Sequence, residues 1–109
     1  MSQSFNYRHL YYFWVVAQEG SMTRAAQRLD MAVQTVSAQV RELERDLGCQ
    51  LLRPAGRGLA LTDAGMVALQ QAEQIFQLSQ ALPEQVLATV QTPSVRLAVG
   101  IADGLPKLE

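Results

Sequence analysis

A mainly α fold is what this sequence predicts: three short helices, a β-hairpin and one long helix, in that order. Three observations carry the prediction. Apolar residues recur at helical spacing in three successive runs, and Gly20 and Gly48 stand where the first and third runs end. Two short apolar segments, Leu51-Leu52-Arg53 and Leu59-Ala60-Leu61, flank the turn-forming stretch Pro54-Ala55-Gly56-Arg57-Gly58. From Thr62 onward a long run mixes aliphatic residues with six glutamines between Gln70 and Gln85, good helix formers that stay polar without charge.

In the first run, Leu10, Phe13, Trp14 and Ala17 fall on one helical face, with Asn6 as N-cap. Ser21 caps a second, short helix from Met22 to Leu29, whose Ala25, Ala26 and Leu29 face inward. The turn Asp30-Met31-Ala32 leads into a third helix ending near Leu47. At about 100° per residue, Val36, Val40, Leu43 and Leu47 share one narrow stripe. Gln34, Ala38, Arg41, Glu42 and Arg45 lie opposite, with Thr35 and Ser37 on the flanks. A short helix, a tight turn and a longer helix with a hydrogen-bonding outer face make a helix-turn-helix unit. The hairpin that follows carries Arg57 between two glycines, a cationic tip expected to be mobile. Thr62 caps the long helix and Asp63 suits its positive end. Along that helix Ala68, Ala72, Ile75, Ser79 and Leu82 make a heptad-like stripe, the expected seam with a second copy of the chain. Pro83 predicts a kink or a stop after Leu82, although Pro-Glu at 83–84 equally suits a fresh turn running to Val90. Three segments result: a compact domain over 1–62, a linker and dimerisation helix over 63–90, and a stretch over 91–109. In the last, Val95–Gly100 is expected to be the first strand of a further domain.

The 109 residues carry a net charge of −1, which hides an asymmetry. Residues 1–62 hold seven arginines against five acids, for +2, and residues 63–109 sum to −3. The first lysine is Lys107. Arginine favours planar, two-toothed contacts to phosphate or guanine. The longest apolar stretch, Leu10 to Ala17, is far short of the roughly 18 residues of a membrane span. No basic segment leads into an apolar region at the N-terminus, so no secretory signal and a cytoplasmic location are expected. Single His9 and Cys49 residues with scattered carboxylates offer no catalytic triad, metal cluster or phosphate loop. Neither catalysis, nor a metal, nor a cofactor is expected.

Residues Leu10–Gly65 resemble the DNA-binding domain of LysR-type transcriptional regulators. The likeness rests on Phe13, on the runs from Glu19 to Leu29 and from Val36 to Gly48, and on Leu51-Leu52-Arg53 and Leu61-Thr62-Asp63-Ala64-Gly65. Shorter runs, His9–Trp14, Gln34-Thr35 and Gly56–Leu59 among them, resemble the subgroup that activates sodium/proton antiporter genes. The resemblance implies a winged helix-turn-helix and a homodimer on an interrupted inverted repeat of double-stranded DNA. It also implies a small-molecule or ion effector bound by a further, C-terminal domain. The third helix would lie in the major groove, with Gln34, Thr35, Ser37, Ala38 and Arg41 toward the DNA. Ser21, Thr23 and Arg24 at the start of the second helix would meet phosphates. Arg53 and Arg57 would serve the wing, Arg57 entering the minor groove. The sequence departs from the family at Ala32, where a capping Ser is usual, at Val33-Gln34 in place of Gln-Pro, and at Ala38 in place of Arg. The alternative function is a winged helix used for protein–protein assembly, its third-helix face meeting a protein.

Overall fold

The computed structural model describes residues 4–91. The chain divides into two compact units, Met1–Gln74 and Ile75–Glu109. The elements are α1 (Tyr7–Glu19), α2 (Met22–Leu29), α3 (Val33–Leu47), β1 (Leu52–Ala55), β2 (Gly58–Leu61) and α4 (Asp63–Gln91).

Local chemistry sets most of the boundaries. The Asn6 side chain accepts from the backbone N–H groups of Arg8 and His9, and the Ser21 hydroxyl accepts from that of Arg24. Gly20 and Gly48 end α1 and α3 in the left-handed region, at φ 69° and 77°. Asp30 does the same for α2 at φ 57°, a conformation that a side chain of this shape tolerates better than most. Ala32 stands at the N-cap of α3 and makes no side-chain cap bond.

Helices α1, α2 and α3 pack against one another, and α1 also meets β2. The core of this unit comprises Leu10, Phe13, Val15, Val16, Ala25, Ala26, Val36, Val40, Leu43 and Leu51. Because α1 is covered on several sides, Val15 and Val16 join its core, while Trp14 and Ala17, expected inside, are only half-buried. Trp14 takes the Arg28 guanidinium over its ring instead, 5.8 Å from the centroid.

The hairpin is tighter than its sequence suggests. Pro54 and Ala55 extend β1, Gly58 begins β2, and only Gly56 and Arg57 form the turn. Positive φ occurs at Gly56 and not at Arg57, the pattern of a two-residue turn with Gly first. In the register Ala55↔Gly58, Pro54↔Leu59, Arg53↔Ala60, Leu52↔Leu61, hydrogen-bonded and non-bonded pairs alternate from the turn outward. Pro54 therefore needs no N–H for the ladder. Its partner Leu59 points its own N–H away from β1, where it donates to the Gly20 carbonyl at 3.2 Å.

Two further contacts seat the hairpin. The Glu44 carboxylate on α3 accepts from the N–H groups of Leu51 and Leu52 at 2.8 and 3.2 Å. Thr62 caps α4 by accepting from Gly65 N–H, while its hydroxyl donates to the Gln50 carbonyl. A Cβ on Gly65 would stand 2.0 Å from the Leu51 carbonyl oxygen, so this approach of α4 to the loop requires glycine.

Helix α4 is continuous from Asp63 to Gln91 with Pro83 inside it, so the expected stop at Leu82 does not occur. Proline removes one N–H from the ladder, but Gln80, Ala81 and Leu82 before it and Glu84 to Ala88 after it are mostly strong helix formers. The residues of the expected seam differ in exposure. Ala72 is fully buried within its own chain, and Ala68, Ile75 and Ser79 are half-buried. Leu82 is 64% exposed. The strand expected at Val95–Gly100 lies outside the described residues.

Candidate nucleic-acid interface

The outward face of α3 is built as its periodicity requires. Val36, Val40 and Leu43 anchor the helix in the core, and Gln34, Thr35, Ala38 and Arg41 are exposed as a consequence. Ser37, on the flank, is half-buried. Glu42 is the acid on this face, and it is ion-paired with Arg45 one turn on, which offsets its charge.

Beside the first turn of α3 lies a cleft of about 320 Å³, lined by Ser21, Met22, Thr23, Val33, Ser37, Arg57, Gly58 and Leu59. It unites residues from the α2 N-terminus, the N-terminal part of α3 and the hairpin tip. The Leu59-to-Gly20 hydrogen bond brings the hairpin here, and Gly58 permits it, since a Cβ there would sit 2.7 Å from the Gly20 carbonyl oxygen. Arg57, exposed at the tip, thereby lines the same cleft as Ser21 and Thr23. Sequence reasoning did not count Met22 and Val33 among the site residues: Met22 was placed only as the start of the second helix, and Val33 only in the Val33-Gln34 departure from the family pattern.

The arginines divide into two groups. Arg28 donates to Gln18 at 2.8 Å and pairs with Glu19 at 3.3 Å. Arg24 lies 3.8 Å from the same Glu19 carboxylate and remains 71% exposed, a loose pair that leaves the guanidinium available. Arg41, Arg53 and Arg57 are exposed and take part in no ion pair among the described residues. Arg53 is on β1, opposite Ala60, and does not line the cleft. A second, wider cleft lined by Asn6, Tyr7, Arg8, His9, Tyr12, Met31 and Gln39 holds none of the residues expected to bind. No helix among the described residues is long and apolar enough to cross a membrane.

The sequence and the fold that carry this exposed helix face are similar to those of known proteins. The NhaR transcriptional activator of Escherichia coli is 40% identical over 102 residues, which cover 94% of this chain and 34% of that protein. The chain thus spans about a third of that relative's length. The DNA-binding domain of CbnR, solved in complex with DNA, superposes with a TM-score of 0.76 at 36% identity. The match covers 80% of this chain and all of that one. The BenM DNA-binding domain on its catB site 1 DNA gives a TM-score of 0.76 at 31% identity, covering 80% of this chain and 97% of that one. The family model for bacterial regulatory helix-turn-helix proteins of the lysR family matches residues 7–66, and the chain belongs to that family.

Proposed function

We propose that this chain is the DNA-reading module of a LysR-type transcriptional regulator, binding double-stranded DNA sequence-specifically as a homodimer. The cleft that unites Ser21, Thr23, Ser37 and Arg57 at the first turn of α3 carries the reading. Hydroxyls and an unpaired guanidinium around a helix N-terminus suit phosphate, while the adjoining Gln34 and Arg41 are free to reach base edges. Gln34 is suited to adenine, Arg41 to guanine or phosphate, and the methyl groups of Thr35 and Ala38 to thymine. Arg57 at the hairpin tip reaches the minor groove, with Arg24 and Arg53 on the phosphates. Two copies joined through α4 address an interrupted inverted repeat. The effector belongs to a further domain, and the regulator acts in the cytoplasm.

The test is fluorescence anisotropy of the chain on a duplex from its own upstream region, against a scrambled duplex, across a salt series. Preference for the native duplex, with affinity falling steeply as salt rises, is the expected result. Arg41→Ala should then cost about 1–3 kcal/mol on the native duplex if it contacts guanine. Equal, weak, salt-insensitive binding to both duplexes would favour a protein-assembly role for the same face.

A further inference from the structure

We propose that Glu19 is a positioning residue that presents the Arg24 guanidinium to a DNA phosphate, acting through Arg24 without touching DNA itself. The inference rests on the DNA-reading function above and deepens it. Two charges here stand against the local rule. Glu19 is the last residue of α1, where the helix dipole favours a cation, and no base stands in that turn. Arg24 lies in the first turn of α2, where the dipole favours an anion, and no acid stands there. The two meet across the Gly20-Ser21 corner, Glu19 Oε1 lying 3.8 Å from Arg24 Nε. Local choices that oppose their own element are expected where function is served instead.

Arg28 supplies the stability of this corner. It pairs with Glu19 at 3.3 Å, donates to Gln18 at 2.8 Å and covers the Trp14 ring. Arg24 adds little to that, since its side chain is 71% exposed and 3.8 Å is beyond hydrogen-bond distance. What its pairing does is orient. The Ser21 hydroxyl accepts from the Arg24 backbone N–H and fixes that end of the residue. The Glu19 carboxylate approaches Nε at the other end, which leaves the two Nη groups, a fork suited to phosphate, for an anion. A carboxylate acting as a brake on binding would occupy that fork. Arginine has many rotamers, so biasing it before DNA arrives lowers the ordering cost of the contact.

The experiment uses the whole 109-residue chain on the duplex it prefers, across a salt series. Glu19→Gln, Arg24→Ala and the double variant are compared with wild type, and circular dichroism checks the fold of each. Arg24→Ala is expected to bind about tenfold more weakly, the scale of one charge-assisted hydrogen bond. Its salt slope should be shallower by about 1. Glu19→Gln keeps the size and loses the charge; it should bind about threefold more weakly, the scale of one exposed ion pair. Added to Arg24→Ala, it should change nothing further. Mere repulsion between Glu19 and phosphate predicts the opposite sign, so Glu19→Gln binding as tightly as wild type or tighter overturns the proposal. Additive losses in the double variant overturn it too, because they place the effect in the α1–α2 corner and not in Arg24. Undiminished binding by Arg24→Ala overturns it without reference to any Glu19 variant. Failure to prefer the native over the scrambled duplex would bring down the DNA-reading function itself, a result distinct from these.

Discussion

At the scale of single residues, the most consequential position is one where a group is missing. Ala32 has the extended backbone of an N-cap, φ −69° and ψ 144°, yet has no oxygen to accept from the first turn of α3. Ser21 shows on α2 what such an oxygen does, accepting from the N–H three residues on. Ala32→Ser should therefore stabilise the domain by about 1 kcal/mol. Thermal unfolding should show it as a rise of roughly 4–8 °C in Tm. An unchanged or lowered Tm would mean that the first turn is already held by its tertiary contacts. The missing cap was legible in the sequence because capping depends on residues within one turn. The exposure of Val33 was not, since a helical wheel says which side a residue faces but not where along the axis the core ends.

At the scale of elements, all three short helices and the long one were legible, through Asn6, Ser21, Gly20, Gly48 and Thr62. Each of these acts within about four residues of its own position. The hairpin was drawn too short because Pro54 looks like a loop residue until its pairing register is known. Glu44 was missed for a related reason: it sits on α3 as an ordinary polar residue, and its role appears only when the chain returns to offer two N–H groups. Glu44→Ala would leave the backbone N–H groups of Leu51 and Leu52 without that acceptor. The expected loss is about 1–3 kcal/mol, with faster amide exchange in β1 than in α1. Denaturant unfolding and hydrogen exchange together check this, and an unaltered midpoint would show that water substitutes for the carboxylate.

At the scale of the whole molecule, the question is how two chains meet. The stripe read from the sequence takes in both Ala72, buried within its own chain, and Leu82, exposed, and only packing separates the two. The described surface leaves Leu78, Leu82, Val86 and Val90 exposed at successive four-residue steps on α4. Replacing Leu78 and Leu82 together by glutamate should convert the proposed dimer to monomer in sedimentation. Helix content should stay unchanged, and the preference for an inverted repeat should be lost. A dimer that survives the double substitution would move the seam elsewhere. Within each copy, meanwhile, the hydrogen bond from Leu59 to Gly20 and the glycine that permits it fix the hairpin to the corner from which α2 starts. The base of the tip is thereby tied to the turn that precedes α2. On the proposed function, the tip lies in the minor groove and α3 in the major. A duplex whose local twist puts the two grooves out of phase with that span should bind more weakly, a dependence on helical pitch that a series of pre-twisted or spacing-altered duplexes would read.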